Sequence, residues 1–438
     1  QGRGGEGLPA AGVPQQVMTA SCLLLSASVG KFAVSFATSE AFPLLPLEAE
    51  ALGLSQSAAM GALAAQPLAY IAASLLVGRC LDAVAARPSD DLGKGSGSRL
   101  TSPASTALAL GLGITALGTA SLGLATQPRG FVTARAVQGV GAAAAEVAAM
   151  VLMAGIFPQE QLAEAEGWLE TATGLGYVVG MPAGGLLYAW HGSLLAFGAG
   201  VAACIVALIA WLWAAPTCAG VADAKQQVEG EVAKDAWRRF GATAAMVFSF
   251  GMSMGVVYAS LAVHDERRFG FGPAQSASEL SLIAVAYILC CPIAGRCCEG
   301  PVVACRRCAA AGLILGCGAY GLLAAAGDSP LCQALGLVIL GASEALVLIP
   351  AFPIMLDFAG GEGVAGVVAA VLNTSYAMGE AAGPLLSVPL VGFVGFAGAM
   401  ATQAAVMAGL TVALATTLAP HKPHEGSLQV APDDYQKL

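Results

Sequence analysis

Runs of about 20 apolar residues, the length that crosses a bilayer as a helix, recur along nearly the whole chain. They fall near residues 16–42, 57–77, 103–125, 130–156, 167–189, 194–215, 241–263, 278–295, 308–326, 332–356, 364–391 and 396–418. Hydrocarbon offers no partner to an exposed peptide group, so each run must satisfy its own backbone, and helices are the economical solution. The expected fold is an all-α membrane protein with twelve transmembrane helices. Composition agrees: 57% of the residues are hydrophobic and 11% are charged, against about 25% charged in an average soluble domain. So few charges cannot cover a water-soluble surface. The net charge of -9 argues against a nucleic-acid partner. The lipid bilayer is the partner that the composition demands.

Polar stretches divide the chain. Residues 1–15 read as a disordered N-terminal tail, 16–215 as an N-terminal six-helix half and 216–239 as a cytosolic central loop. Residues 240–418 read as a C-terminal six-helix half and 419–438 as a cytosolic tail. Glu48 and Glu50 colour what reads as a short acidic loop after the first span. The chain begins at Gln1 without a methionine, so an incomplete N-terminus is expected and no targeting segment is read. With both termini cytosolic, fourteen Lys and Arg residues lie on the inner side, against Arg129, Arg267 and Arg268 outside. That bias fixes the expected orientation. Cysteines in apolar runs or on the cytosolic side are expected as thiols. That includes Cys297, Cys298, Cys305 and Cys308, where Arg306 and Arg307 would repel a metal cation.

The two halves repeat. Ala69-Tyr70-Ile71, followed by Gly78-Arg79-Cys80-Leu81-Asp82, returns as Ala286-Tyr287-Ile288 and Gly295-Arg296-Cys297-Cys298-Glu299, an offset of 217. Leu169-Glu170-Thr171 with Gly176 and Gly180 returns as Leu372-Asn373-Thr374 with Gly379 and Gly383, an offset of 203. A polar insertion before Ser102 accounts for the change in offset. Two related six-span halves holding a small solute between them near the bilayer midplane is a transporter architecture. The run from Glu166 to Tyr188 carries glycines at 167, 174, 176, 180, 184 and 185. Each costs about 1 kcal/mol relative to Ala in a water-soluble helix, so that density makes sense where small residues let helices approach closely in lipid.

Four runs carry a resemblance to a known family. Gly78 and Asp82, with Arg87, are similar to the loop 2-3 signature of the major facilitator superfamily, although Ala83 and Ala85 depart from it. Arg135, Gln138, Gly139 and Gly141 match its fourth-span signature. Gly167, Gly176, Gly180, Gly184 and Gly185 match the glycine frame of its antiporter signature, with Met181-Pro182 where Gly-Pro is commoner. Pro43 and Pro46 resemble the first-span ending of the drug:proton antiporter branch. Within that branch the chain looks most like the vesicular amine transporter family, especially its polyamine-transporting members, through 43–50, 169–171, 349–353 and the Gly379, Gly383, Pro384 run. It departs from the monoamine members in offering Lys31 in the first span and the neutral Asn373 in the eleventh. The resemblance implies proton coupling at Arg135 and Gln138. It also implies gating at Gly78, Asp82 and Arg87, and in the second half at Gly295 and Glu299.

A carboxylate at the bilayer centre costs about 2.5–3.5 kcal/mol on insertion scales, so each one is a functional candidate. Glu170 leads, because the repeat sets it level with Asn373. The alternative is a structural hydrogen bond or a cap. Glu344 and Glu146 are candidates that compete with a role as structural partners of Arg135 or Lys31. Glu380, between Gly379 and Gly383, is expected to face a cavity. Lys31 either neutralises a glutamate or binds an anionic group. His191 and His264 fall on the non-cytosolic side, where lone loop histidines usually have no special role.

The expected function is secondary active transport, with protons exchanged for an organic cation, a polyamine or another amine. Alternatives are a multidrug, lipophilic or anionic solute efflux carrier or uniporter, and a transporter-like receptor or scaffold without transport. The expected partners are a small-molecule cationic amine, protons and lipid, for a monomer; no cofactor and no metal are called for. No span presents the groups of an enzyme active site.

Overall fold

A computed structural model describes residues 12–54, 56–85, 102–214, 234–271, 273–327 and 329–417. Arg87, the insertion before Ser102, positions 216–233 of the central loop and the C-terminal tail lie outside these residues. The described residues are helical almost throughout: α1 (Gly12–Ser39), α2 (Ala41–Ala51), α3 (Gln56–Ala85), α4 (Pro103–Leu124), α5 (Pro128–Ile156), α6 (Gln159–His191) and α7 (Ser193–Ala214) build the first half. The second half contains α8 (Lys234–Phe269), α9 (Pro273–Cys297), α10 (Val302–Ala325), α11 (Pro330–Leu348), α12 (Ala351–Ala359) and α13 (Ala365–Thr417). Ten helical stretches among the described residues are long and apolar enough to cross a membrane. One of them, Ala365–Ala415, is 51 residues long, about twice what one crossing needs. It folds back at Gly395, whose φ of 72° is a conformation that glycine adopts without steric cost. Outside the ten is α6, whose glycines and carboxylates dilute its apolar content.

Local signals explain several boundaries. Ser102 accepts a hydrogen bond from the Ser105 amide at 3.0 Å ahead of Pro103. Ser329 does the same for the Cys332 amide at 3.3 Å ahead of Pro330. In each case a hydroxyl caps the first turn and a proline occupies a position whose N–H would be orphaned anyway. Three expectations change at the ends of spans. The stretch read as an acidic loop around Glu48 is helical in α2, since Pro43 sits in the first turn, where a missing donor costs nothing. The central loop gives way to helix already at Lys234, and α1 begins at Gly12, within the stretch read as a disordered tail.

Glycines set how closely the helices pack, and they do so symmetrically. In the first half Gly176 lies against Phe32 and Ser35 of α1, and Gly180 lies against Phe36 and Ser39. In the second half Gly379 lies against Phe248 and Met252 of α8, and Gly383 against Met252 and Gly255. A Cβ on Gly176 would stand 2.5 Å from the Phe32 carbonyl oxygen. The halves meet along two seams, α3 against α13 and α6 against α9. Gly185 differs from the rest of its frame, because a Cβ there meets nothing within 4 Å. Gly176→Val should therefore lower stability by about 1–3 kcal/mol, the usual cost of overpacking, while Gly185→Val stays within about 0.5 kcal/mol; thermal unfolding of the two purified variants compares them directly.

Candidate functional site

Helix α6 serves both interfaces. Its glycines at 176, 180 and 184 turn toward α1 and the turn that follows it, whereas Gly167 and Gly174 turn toward α9 of the other half. A Cβ on Gly167 would lie 2.6 Å from the Cys291 carbonyl oxygen, and one on Gly174 would lie 2.5 Å from Ile288 Cγ1. Glu170 sits three residues after the first and four before the second, so helical spacing puts it on the same face. Its carboxylate is held from two directions: Lys31 Nζ of α1 lies 2.6 Å from Oε1, and the Tyr287 hydroxyl of α9 donates to Oε2 at 3.1 Å. One carboxylate thus joins three helices and both halves.

Lys31 is 2% exposed and Glu170 25% exposed, so the pair has one side open to the space between the halves. Glu146 and Glu166 add their fields at Lys31. Glu146 accepts from the Tyr70 hydroxyl at 2.5 Å. Across the interface Tyr376 of α13 donates to Glu344 of α11. Glu380 is exposed, and its backbone packs on Gly251 and Gly255 of α8. Asn373, the repeat partner of Glu170, has no hydrogen-bond partner for Nδ2 among the described residues. Two acidic clusters therefore face each other, one centred on Lys31 and one on Glu344 and Glu380.

Neither Glu146 nor Glu344 forms the ion pair with Arg135 or Lys31 that was weighed for it; each is held by a tyrosine instead. Arg135 is fully buried and, among the described residues, bonded only to neutral groups: the Thr38 carbonyl at 3.2 Å, the Gln138 side chain and Gln66 Oε1 at 3.5 Å. Its guanidinium also lies 5.7 Å from the centre of the Phe42 ring. Gln138 continues the network to the Ala37 carbonyl at 2.9 Å and to Thr119 Oγ1 at 2.8 Å.

At the far end of the seams the halves are latched. Asp82 accepts from the backbone amides of Gly366 and Val367, each at 2.8 Å, and so caps the first turn of α13 from the other half. Gly78 packs on Gly366. The second seam repeats this contact, with Gly295 packed on Ala163 and Glu164. There the charged contact is Arg296 Nε to Glu164 Oε1 at 3.7 Å, and Glu299 is exposed. Arg87 lies outside the described residues.

The Major Facilitator Superfamily profile matches residues 27–384, a stretch that takes in both seams and the Glu170 centre. The chain belongs to the major facilitator superfamily. Among curated proteins, the MFS-type transporter SLC18B1 of Mus musculus is 27% identical over 303 residues, covering 64% of this chain and 63% of that protein. Its counterpart of Rattus norvegicus is 27% identical over 301 residues, with the same shares. The aligned stretch is thus shorter than two thirds of these relatives. Among solved structures, the human organic anion transporter MFSD10 (TETRAN) superposes with a TM-score of 0.68 at 18% identity, over 90% of this chain and 99% of that one. The proton:xylose symporter XylE gives 0.68 at 14% identity, over 92% and 97%. These likenesses establish a major facilitator fold of two pseudo-symmetric halves in an integral, multi-pass membrane protein.

Within this superfamily member, sequence reasoning missed the tyrosines that hold the carboxylates. Their signal was present, since Tyr70 and Tyr287 are the shared centre of the 217-residue repeat. It also missed Glu40, taken up below, and Glu166, which is 2% exposed one turn before Glu170.

Two outcomes follow from this geometry. Lys31→Met leaves a mostly buried carboxylate without its cation and should cost about 3 kcal/mol, whereas the double variant Lys31→Met, Glu170→Met should recover most of that loss; chemical denaturation of the four members of the cycle measures it. Asp82→Ala removes the cap, worth about 1 kcal/mol, and should raise the population of molecules open at this end about 5-fold, read from spin-label distances between α3 and α13.

Proposed function

We propose that the chain is a secondary active transporter that exchanges protons for an organic cation, a polyamine or another amine, by alternating access between its two halves. The observation that carries this reading is the Lys31–Glu170 pair with Tyr287 bound from the opposite half. Lys31 is itself a primary ammonium. The site that holds it has the donors and acceptors a substrate amine needs, with Glu146 and Glu166 nearby and Glu344 and Glu380 across the gap. An arriving amine competes with Lys31 for Glu170, and a proton on Glu170 releases it. A proton gradient therefore drives the cation toward the acidic side. Breaking the Tyr287 bond on loading frees the two halves to rock, with Asp82 and Arg296 as the contacts to be opened.

Twelve crossings fit this cycle: the ten apolar stretches, α6, and the second arm of α13 after Gly395. The excess of basic residues at the latched end supports placing that end, and both termini, in the cytosol. The resemblance of 43–50 and 169–171 to polyamine-transporting vesicular carriers supports the amine class. A second reading, transport of an anionic solute, draws on Arg135, which is buried with no carboxylate bonded to it among the described residues.

Proteoliposomes holding the purified chain, with an imposed pH gradient and a panel of labelled amines and anions, test both. The wild type should accumulate an amine in response to internal acid. Glu170→Gln should reduce that uptake about 10- to 100-fold, the value of one charge-assisted hydrogen bond of about 1.5–3 kcal/mol. Gradient-driven amine uptake that survives in Glu170→Gln removes Glu170 from the mechanism; uptake of anions alone selects the second reading.

A further inference from the structure

Glu40 lies where α1 stops and α2 starts, and it is 0% exposed. Neither carboxyl oxygen has a hydrogen-bond partner among the described residues. The surroundings are small and apolar by construction. Gly184 of α6 lies against its Cβ and Cγ, and Gly200 of α7 is so close that a Cβ there would stand 2.5 Å from Oε2. That same Cβ would lie 3.1 Å from the Ala37 Cα and 3.1 Å from the Thr119 methyl of α4, so all three elements converge on this carboxyl. The titratable group that faces it is Cys204 of α7, whose thiol leans on the Ala33 carbonyl at 3.7 Å. Tyr188, one turn beyond Gly184, is engaged with Glu48 of α2 at 2.9 Å. Arg135 approaches the joint from the other side, through the Thr38 carbonyl and the Phe42 ring.

An ionised carboxylate in such a place would be a buried charge with no counter-ion and no donor, costing far more than the neutral acid. Glu40 therefore carries a proton in this arrangement. Ionising it requires water, or the Arg135 guanidinium, to reach it, and either one must part the α1–α2 joint from α6 and α7. Ser39, the residue before it, packs on Gly180, and two turns earlier α1 presents Lys31 to Glu170. Opening the joint therefore loosens the α1–α6 seam that holds the central pair.

We propose that Glu40 is a second proton-binding carboxylate, separate from the Lys31–Glu170 pair, that keeps its proton while the α1–α2 joint is packed on α6 and α7 and releases it when that joint opens to water. The site stands whatever the transported solute is, so it does not depend on the amine reading.

Infrared difference spectra of the full chain in liposomes, recorded between neutral and alkaline pH, test it. The wild type should show protonated-carboxyl C=O absorption at neutral pH that is lost at alkaline pH. Glu40→Gln should lack one component of it, leaving the share of other buried carboxyls such as Glu166, and Glu170→Gln should keep that component. Because the folded chain holds a proton that the unfolded chain has given up, wild-type stability should fall as pH rises above the ordinary glutamate range, and Glu40→Gln should show a shallower decline. Absorption unchanged in Glu40→Gln, or wild-type absorption that titrates at no pH, overturns the proposal. Should Glu40→Gln fail to fold, Glu40→Asp keeps the carboxyl and must shift that component; absorption unmoved in that variant also overturns it.

Discussion

A carboxylate between the two halves is held here by one group from each. Glu170 shares an ion pair with Lys31 inside its own half and a hydrogen bond with Tyr287 of the other. The first interaction neutralises a charge that lipid and protein interior would both reject. The second is the weaker, being a bond from a neutral hydroxyl to a charged acceptor. In the proposed cycle this difference in strength orders the events: whatever displaces Lys31 changes the charge that Tyr287 senses, and the contact between halves is the one that yields.

The glycines make that contact possible. On α6 they divide into two sets, one fitting α1 and one fitting α9, so a single helix belongs to the rigid interior of its half and to the moving seam. The same division on α13, where Gly366 meets Gly78 while Gly379 and Gly383 meet α8, gives the second half the same construction. Close approach without side chains lets backbone slide on backbone, and in lipid, where apolar burial does not drive helices together, packing of this kind is the principal source of cohesion.

Much of this was legible before any coordinates, and the reasons differ by feature. Spans and halves were readable because hydrocarbon imposes one length and one backbone solution on every segment. The internal repeat set Glu170 level with Asn373, and it carried Tyr70 and Tyr287 although their bonding was not drawn from it. What stayed hidden depends on direction rather than on type. Nothing in the order of residues shows that Arg135 turns toward carbonyls and amides, that Glu146 and Glu344 turn to tyrosines, or that Glu299 faces outward while Arg296 reaches Glu164. Helix α2 was missed because its two prolines read as helix breakers, although Pro43 stands in a first turn, where a missing donor is harmless, and the helix carries Pro46 one turn on. Glu40 was missed because a carboxylate beside a predicted loop looks solvated until the glycines of α6 and α7 are seen to close over it.

The latch at Asp82 has a consequence of another kind. Its acceptors are side-chain oxygens, but its donors are the peptide amides of Gly366 and Val367, and every residue other than proline supplies such an amide. On the donating strip of α13, Val367 can therefore drift in sequence without losing its bond, whereas Gly366 cannot, since a Cβ there would stand 2.4 Å from the Gly78 carbonyl oxygen and 2.7 Å from Asp82 Oδ1. The accepting side, Asp82, cannot drift either. Such a contact demands a particular side chain at Asp82 alone, and elsewhere demands only the absence of one, at Gly78 and Gly366.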